Sequence, residues 1–97
     1  TNTLGAGSNI VNDLDINIFP SLTTGQKSIS IEFFNIKNTS VLVELFNPLG
    51  IKLGEKSIDI FNPEYSISEL NLPLETGMNI VRIKIGNQYI SKKIIKL

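Results

Sequence analysis

The stretch MNIVRIKI at residues 78–85, with GN at 86–87 and QYISKKIIK at 88–96, decides the fold. Apolar and polar side chains alternate along both arms, which places Val81 and Ile83 on one face of the first arm. Alternation with a period of two is typical of a β-strand with one buried face. The glycine of the central pair can take the positive φ of a type II′ turn. The stretch therefore predicts a β-hairpin.

Alternating segments continue upstream of this hairpin. They lie at residues 14–19, 27–34, 40–46, 51–61 and 65–70. For the last of these, NPE at 62–64 could also cap a short helix, and we prefer a strand. Both faces of the third segment carry apolar side chains, so we expect a central strand there. Gly54 interrupts the fourth segment and indicates a bulge or bend. Pro20 is expected to end the first strand or to place it at an edge, and NPLG at 47–50 predicts a β-turn.

Short strands separated by turn residues determine the predicted fold class. About seven such strands favour an all-β, immunoglobulin-like antiparallel β-sandwich. Composition agrees, because 26 of the 97 residues are the β-branched Ile, Val or Thr and only one is Ala. The chain lacks the Cys-Trp-Cys signature of immunoglobulin domains, so the sequence supports the architecture alone. We interpret residues 1–13 as a flexible linker and residues 14–97 as the folded domain.

Composition also excludes most catalytic chemistry. The chain has no Cys and no His, which removes a cysteine nucleophile, the Ser-His-Asp arrangement and the usual zinc ligands. Nine Lys and Arg balance nine Asp and Glu, so net charge gives no reason to expect nucleic acid as a partner. The longest apolar run, at 41–43, is too short to span a bilayer. We therefore expect no enzyme, cofactor, metal or direct membrane insertion.

Four motifs follow one another along the predicted domain. The first, IFPSLTTG at 18–25, contains an aromatic residue, a proline and a glycine. The second, VLVELFNPLG at 41–50, is an alternating strand that ends in F-N-x-x-G. The third, LNLPLETGMNIVRI at 70–83, contains L-x-L-P and a glycine before an alternating strand. The fourth, KKIIKL at 92–97, is basic and apolar.

This order of motifs resembles the type A C-terminal sorting domain of cargo proteins of the type IX (Por) secretion system of Bacteroidota. That family opens with I-x-Y/F-P-N-P-x-x-G. Here Ser21 and Leu22 replace the Asn and the second Pro, and the aromatic residue follows Ile18 directly. Asn79 stands where the family has a Tyr in L-x-L-P-x-G-x-Y-x-V-x-I. The resemblance covers residues 14–97 and rests on order and spacing, because each motif alone is short.

The resemblance implies a secretion signal and not a catalyst. Such a domain directs its cargo across the outer membrane through the type IX translocon, with shuttle components as further partners. A sortase-like cysteine peptidase commonly removes it afterwards. The expected location is the periplasm in transit, and then the cell surface or the extracellular medium.

Three groups of residues are candidates for this function. We expect translocon recognition at the last strand, because it is basic, closes the chain and is predicted to lie at a sheet edge. These residues are Lys92, Lys93, Ile94, Ile95, Lys96 and Leu97. Cleavage is expected in the linker at Gly5, Ala6, Gly7 and Ser8. The residues that match family motifs or turns are Phe19, Pro20, Gly25, Gly50 and Gly77. We expect the three glycines to have a structural role.

Three other interpretations remain open from the sequence. An immunoglobulin-like adhesion or carbohydrate-binding accessory domain of a cell-surface protein would expose several aromatic side chains on one face. A structural spacer would need no such face. A hydrolase with paired carboxylates is permitted by residue spacing but is disfavoured on so small a sandwich.

Overall fold

A computed structural model of the chain describes residues 15–24, 28–36 and 40–97. These residues form strands and no helix, so the all-β prediction is confirmed. The strands are β1 (Ile16–Phe19), β2 (Leu22–Thr23), β3 (Ser28–Phe34), β4 (Ser40–Phe46), β5 (Lys52–Asp59), β6 (Tyr65–Asn71), β7 (Gly77–Ile85) and β8 (Gln88–Lys96).

Two sheets form the sandwich. The smaller sheet has the order β1-β3-β6, and the larger has the order β2-β8-β7-β4-β5. Strand β4 lies between β5 and β7, as the apolar character of both its faces predicts. The larger sheet thus pairs the last two strands with the strand that follows β3, which is the arrangement of an immunoglobulin-type sandwich. One departure from the prediction is that β2 pairs with β8 in parallel, whereas the other pairs are antiparallel.

The chain changes sheets immediately after β1. Strand β1 pairs with β3 in the smaller sheet and ends at Phe19, which precedes Pro20 through a cis peptide bond. Two residues later, Leu22 and Thr23 pair with β8 in the larger sheet. The sequence predicts only a turn here, because a two-residue strand is too short to show alternation.

The core lies between the inner faces of the two sheets. Val81 and Ile83 of β7 are fully buried, and Ile31 and Phe33 of β3 are buried opposite them in the smaller sheet. Most of the core is Ile, Val and Leu from alternate strand positions. Burial of each such side chain contributes about 1.5–3 kcal/mol to folding, which makes this core the main source of stability.

The turns that the sequence predicts are present. Between β7 and β8, Gly86 has a φ of 60°. The φ of the next residue, Asn87, is not positive, because Asn35 is the non-glycine residue with positive φ in the described ranges. A positive φ at the first central residue alone fits a type II′ turn. Between β4 and β5, the Gly50 amide donates to the Asn47 carbonyl at 2.9 Å. The Asn47 side-chain oxygen also accepts from the amides of Leu49 and Ile51, each at 3.0 Å.

The irregularity predicted at Gly54 is also present. The register between β4 and β5 shifts between Leu45, opposite Gly54, and Phe46, opposite Lys52. A Cβ atom at Gly54 would lie 3.2 Å from the Cδ of Pro73. Glycine therefore permits close approach of the loop between β6 and β7 to the edge strand β5.

Candidate recognition surface on the last strand

Strand β8 has neighbours on both sides, but the two sides differ in length. On one side it pairs with β7 along its whole length, from Gln88 opposite Ile85 to Lys96 opposite Gly77. On the other side β2 covers only its end, where the Ile95 amide donates to the Ser21 carbonyl at 2.9 Å. The Leu97 amide donates to the Thr23 carbonyl at 2.8 Å.

The prediction of an open edge along residues 92–97 is therefore wrong at its end. Ile95 and Lys96 lie opposite Leu22 and Thr23 of β2. The cause is the passage of the chain between the sheets at Pro20, which brings an upstream segment beside the last strand. The sequence gives no sign of this contact, because the partner is a two-residue strand about 70 residues away along the chain.

The six candidate recognition residues differ in exposure. Ile94 has no exposed surface and belongs to the core. Ile95 and Lys96 are half-buried, and the Nζ of Lys96 lies 3.3 Å from the Leu74 carbonyl, to which it donates. Lys92, Lys93 and Leu97 are exposed, so these three present their side chains to solvent.

The rest of β8 has an uncovered edge. Backbone N–H groups alternate in direction along a strand. Because the Ile95 amide points away from β7, the amides of Tyr89, Ser91 and Lys93 point the same way. No strand within the described ranges pairs with this side of residues 89–93, which we call the open half of β8.

Two kinds of side chain lie beside this open half on the outer face of the larger sheet. Near the covered end, an apolar row crosses the sheet through Leu22, Ile95 and Met78. Toward the hairpin, the rows become polar and basic, with Ser91 beside Arg82. The outer face thus changes from apolar to basic along β8.

A charged cluster fixes the centre of this face. The Nε and Nη2 of Arg82 lie 3.0 and 2.9 Å from Oε1 of Glu44, and both donate to it. The Nζ of Lys52 lies 2.9 Å from Oε2 of the same carboxylate. The hydrogen bond from Lys52, together with that from Arg82, lowers the pKa of Glu44 against the opposing effect of burial. Glu44 thus remains ionised although only 5% of it is exposed.

Arg82 also positions the aromatic side chain of β8. Its guanidinium carbon lies 4.8 Å from the ring centre of Phe46 and 4.7 Å from that of Tyr89. Cation–π contact of this kind favours a fixed ring orientation. The charge of Arg82 is compensated by Glu44. Three other cations lie near the open half, and none of them has an ion pair among the described contacts: Lys84, Lys92 and Lys93.

Asn79 is a further functional candidate, whose role the sequence pattern did not predict. Its side chain is fully buried, where its Oδ1 accepts from the Glu75 amide at 2.8 Å. Its Nδ2 donates to the carbonyls of Glu75 at 2.8 Å, Gly77 at 3.2 Å and Ile94 at 3.4 Å. Asn79 thereby ties the loop before β7 to the last strand. The available signal was an amide at a position whose neighbours on the same face, Val81 and Ile83, are apolar.

The residues that match family motifs occupy turns and a crossing point. Gly50 and Gly77 have φ values of 85° and 101°, and open space surrounds the position of a Cβ at each. Their glycine character is thus explained by backbone conformation. Phe19 and Pro20 lie where the chain leaves the smaller sheet. Gly25 lies outside the described residues, as do the linker and its candidate cleavage residues Gly5, Ala6, Gly7 and Ser8.

Exposed aromatic side chains lie on different parts of the surface. Tyr89 is on the outer face of the larger sheet, and Phe61 is in the connection between β5 and β6. Tyr65 and Phe19 lie on the outer face of the smaller sheet, opposite Phe34 and Ser30 of β3, and the ring centres of Phe34 and Tyr65 are 5.3 Å apart. The exposed aromatic side chains are thus divided between the two sheets and the connection between β5 and β6.

Within residues 15–24, 28–36 and 40–97, no group of three or more acidic residues could hold a metal ion together. No helix there is long and apolar enough to cross a membrane.

Comparison of the chain with protein-family models, with curated proteins and with solved structures finds no match.

Proposed function

We propose that the chain is a type A sorting domain that directs its cargo protein across the outer membrane through the type IX secretion system. The observation that carries the proposal is the ordered series of four motifs at 18–25, 41–50, 70–83 and 92–97. The described residues of the first motif lie where the chain passes from the smaller sheet to the larger one, and the second motif covers β4 and the turn after it. The third covers the end of β6, the loop before β7 and most of β7, and the fourth lies on the last strand.

A signal of this kind needs a surface of fixed shape, because a receptor that reads a folded domain cannot bind an ensemble equally well. The described sandwich supplies a continuous core under both sheets. The end of β8 is held from both sides. On one side the amides of Ile95 and Leu97 donate to Ser21 and to Thr23, and on the other Asn79 donates to the Ile94 carbonyl. These contacts support the proposal that the last strand carries recognition.

The same proposal includes partners and location. The translocon and its shuttle components bind the folded domain in the periplasm, and a sortase-like cysteine peptidase then cleaves in the linker. Gly5, Ala6, Gly7 and Ser8 are the proposed cleavage region, since small side chains fit an extended peptide into a peptidase cleft. The cargo ends at the cell surface or outside the cell.

Export of a reporter tests the proposal. The 97-residue chain is fused behind a fluorescent protein that carries a periplasmic signal peptide, and the fusion is expressed in a bacterium with a type IX system. We expect the reporter outside the cell in that strain and in the periplasm of an isogenic strain that lacks the translocon. Retention of the wild-type fusion in both strains would contradict the proposal.

Mass spectrometry of the exported reporter locates the cleavage. A new carboxyl end within residues 1–13 is expected, and an end beyond residue 14 would refute the cleavage region while leaving export intact.

A further inference from the structure

We infer that the open half of β8 is a strand-addition site for an acidic, extended segment of another protein. This site rests on the proposed function only in that the segment bound there would belong to the protein that recognises the last strand. The geometry and the charge of residues 89–93 carry it.

The geometry offers backbone hydrogen bonds in a defined row. The amides of Tyr89, Ser91 and Lys93 point away from β7, and β2 does not reach them. An added strand would lie in line with β2 and would stop where the chain passes to the smaller sheet, between β2 and β1. Strand addition gives affinity through main-chain hydrogen bonds, and the flanking side chains give specificity.

The charge of this edge favours an acidic occupant. Lys93 projects from the outer face of the larger sheet and Lys92 from the opposite face, and Lys84 lies one strand away in the row of Tyr89. The sequence contains no Asp or Glu after Glu75. Acidic side chains on an added strand would therefore meet cations on both sides of the sheet.

The other exposed edges of the described sheets lack this character. Strand β5 carries Lys52 and Lys56 but also Glu55 and Asp59, and its register is irregular. Strand β6 carries Glu69 as its one charged residue, and β1 has four uncharged residues. Of the described edges, the open half of β8 is thus the one with cations and no acid.

A peptide-binding measurement tests the inference directly. The probe is a short, capped, fluorescein-labelled peptide of alternating glutamate and valine, which places its acids beside Lys93 and its apolar side chains beside Ile90. We expect saturable binding to the 97-residue chain that weakens as salt is added. The matched control peptide has lysine in place of glutamate and should not bind. Equal binding of both peptides, or of neither, would overturn the inference.

Two variants place the binding on β8. Ser91→Pro removes an amide that points away from β7, so the ladder between β7 and β8 stays whole. Lys93→Glu keeps that amide and reverses the charge. Each should weaken peptide binding by about tenfold or more, while Lys56→Glu on the distant edge strand β5 should leave it unchanged. If Ser91→Pro fails to fold, Lys93→Glu against Lys56→Glu decides alone, and equal binding by these two would reject the site.

The reporter fusion separates this inference from the proposed function. We expect the Ser91→Pro and Lys93→Glu fusions to remain in the periplasm while the wild-type and Lys56→Glu fusions are exported. Normal export of all four would overturn the strand-addition site and leave the sorting function standing. Failure of the wild-type fusion to leave the cell would instead contradict the sorting function.

Discussion

At the scale of single residues, Asn79 holds more of the recognition surface in place than its residue type suggests. It makes four hydrogen bonds from a fully buried position, two of them to the backbone of Glu75 and one to Ile94 in the last strand. Replacement by an apolar side chain would remove these partners from the part-buried amide and carbonyl of Glu75, and each unpaired group is costly.

The first prediction concerns this side chain. Asn79→Leu should lower the free energy of unfolding by about 2–4 kcal/mol, because the part-buried amide and carbonyl of Glu75 lose these partners at once. Asn71→Leu, at an exposed position on β6, is the matched control and should change it by about 0.5 kcal/mol or less. Urea denaturation of both variants measures the difference. Equal effects would show that the buried amide bonds do not stabilise the loop.

The second prediction concerns Glu44 and pH. Its pKa is lowered in the folded state from an ordinary value of 4.5, first by the hydrogen bond from Lys52. A lowered folded-state pKa gives stability that is present above the unfolded value and is lost as pH falls through the folded value. We therefore expect the wild type to exceed Glu44→Gln in unfolding free energy at neutral pH, with the gap closing below 4.5. Denaturation across a pH series measures it, and a gap independent of pH would contradict the assigned interaction.

Residue-scale prediction from sequence succeeds where the residue type restricts conformation and fails where the role depends on distant contacts. Gly50 and the glycine of the last hairpin were identified correctly, since positive φ is a local requirement. The burial of Ile94 beside the exposed Lys93 also follows from alternation. The buried network of Asn79 depends on a loop and a strand that only the fold brings together, and no local pattern indicates it.

At the scale of elements, the hairpin between β4 and β5 shows how one residue fixes a turn. Gly50 has a φ of 85°, and no atom lies within 4 Å of the position that a Cβ would occupy, so backbone strain alone opposes a side chain there. Gly50→Ala should lower the free energy of unfolding by about 1–2 kcal/mol, and Gly50→Asn should lower it less because Asn tolerates the left-handed region. Thermal unfolding of the two variants checks the order, and the reverse order would contradict the assigned conformation.

Amide hydrogen exchange tests the description of β8 as half covered. The amides of Ile95 and Leu97 donate to the carbonyls of Ser21 and Thr23 and should exchange slowly. Those of Ser91 and Lys93 point to the uncovered side and should exchange quickly. The amide of Ile94, which points toward β7, serves as the protected internal reference. Slow exchange at Ser91 and Lys93 would mean that the edge is already occupied.

The alternation of side chains predicted most of the strands, including the central position of β4 and the irregularity of β5. It could not predict β2, because two residues carry no period. For the same reason the last strand was expected to be open along residues 92–97, while the structure covers its end and leaves residues 89–93 open. The uncovered segment follows from sheet topology, which depends on contacts between distant parts of the chain.

At the scale of the whole molecule, a balanced charge conceals an uneven distribution. Nine cations and nine acids give a net charge of zero, yet every charged side chain after Glu75 is that of a Lys or an Arg. The fold gathers these cations on β7 and β8, at one side of the larger sheet, while edge strand β5 keeps both signs. A sandwich of this kind can present one selective edge and still carry no overall field that attracts anionic surfaces.

The most direct test of the central claim is the fraction of a periplasm-directed reporter that the 97-residue chain carries out of the cell. It is measured in a strain with the type IX translocon and in an isogenic strain without it. An unfolded control is Val81→Asp, which places a charge in the fully buried core. We expect export only for the folded wild-type domain and only with the translocon present. Export that is independent of the translocon, or no export in either strain, would contradict the proposed function.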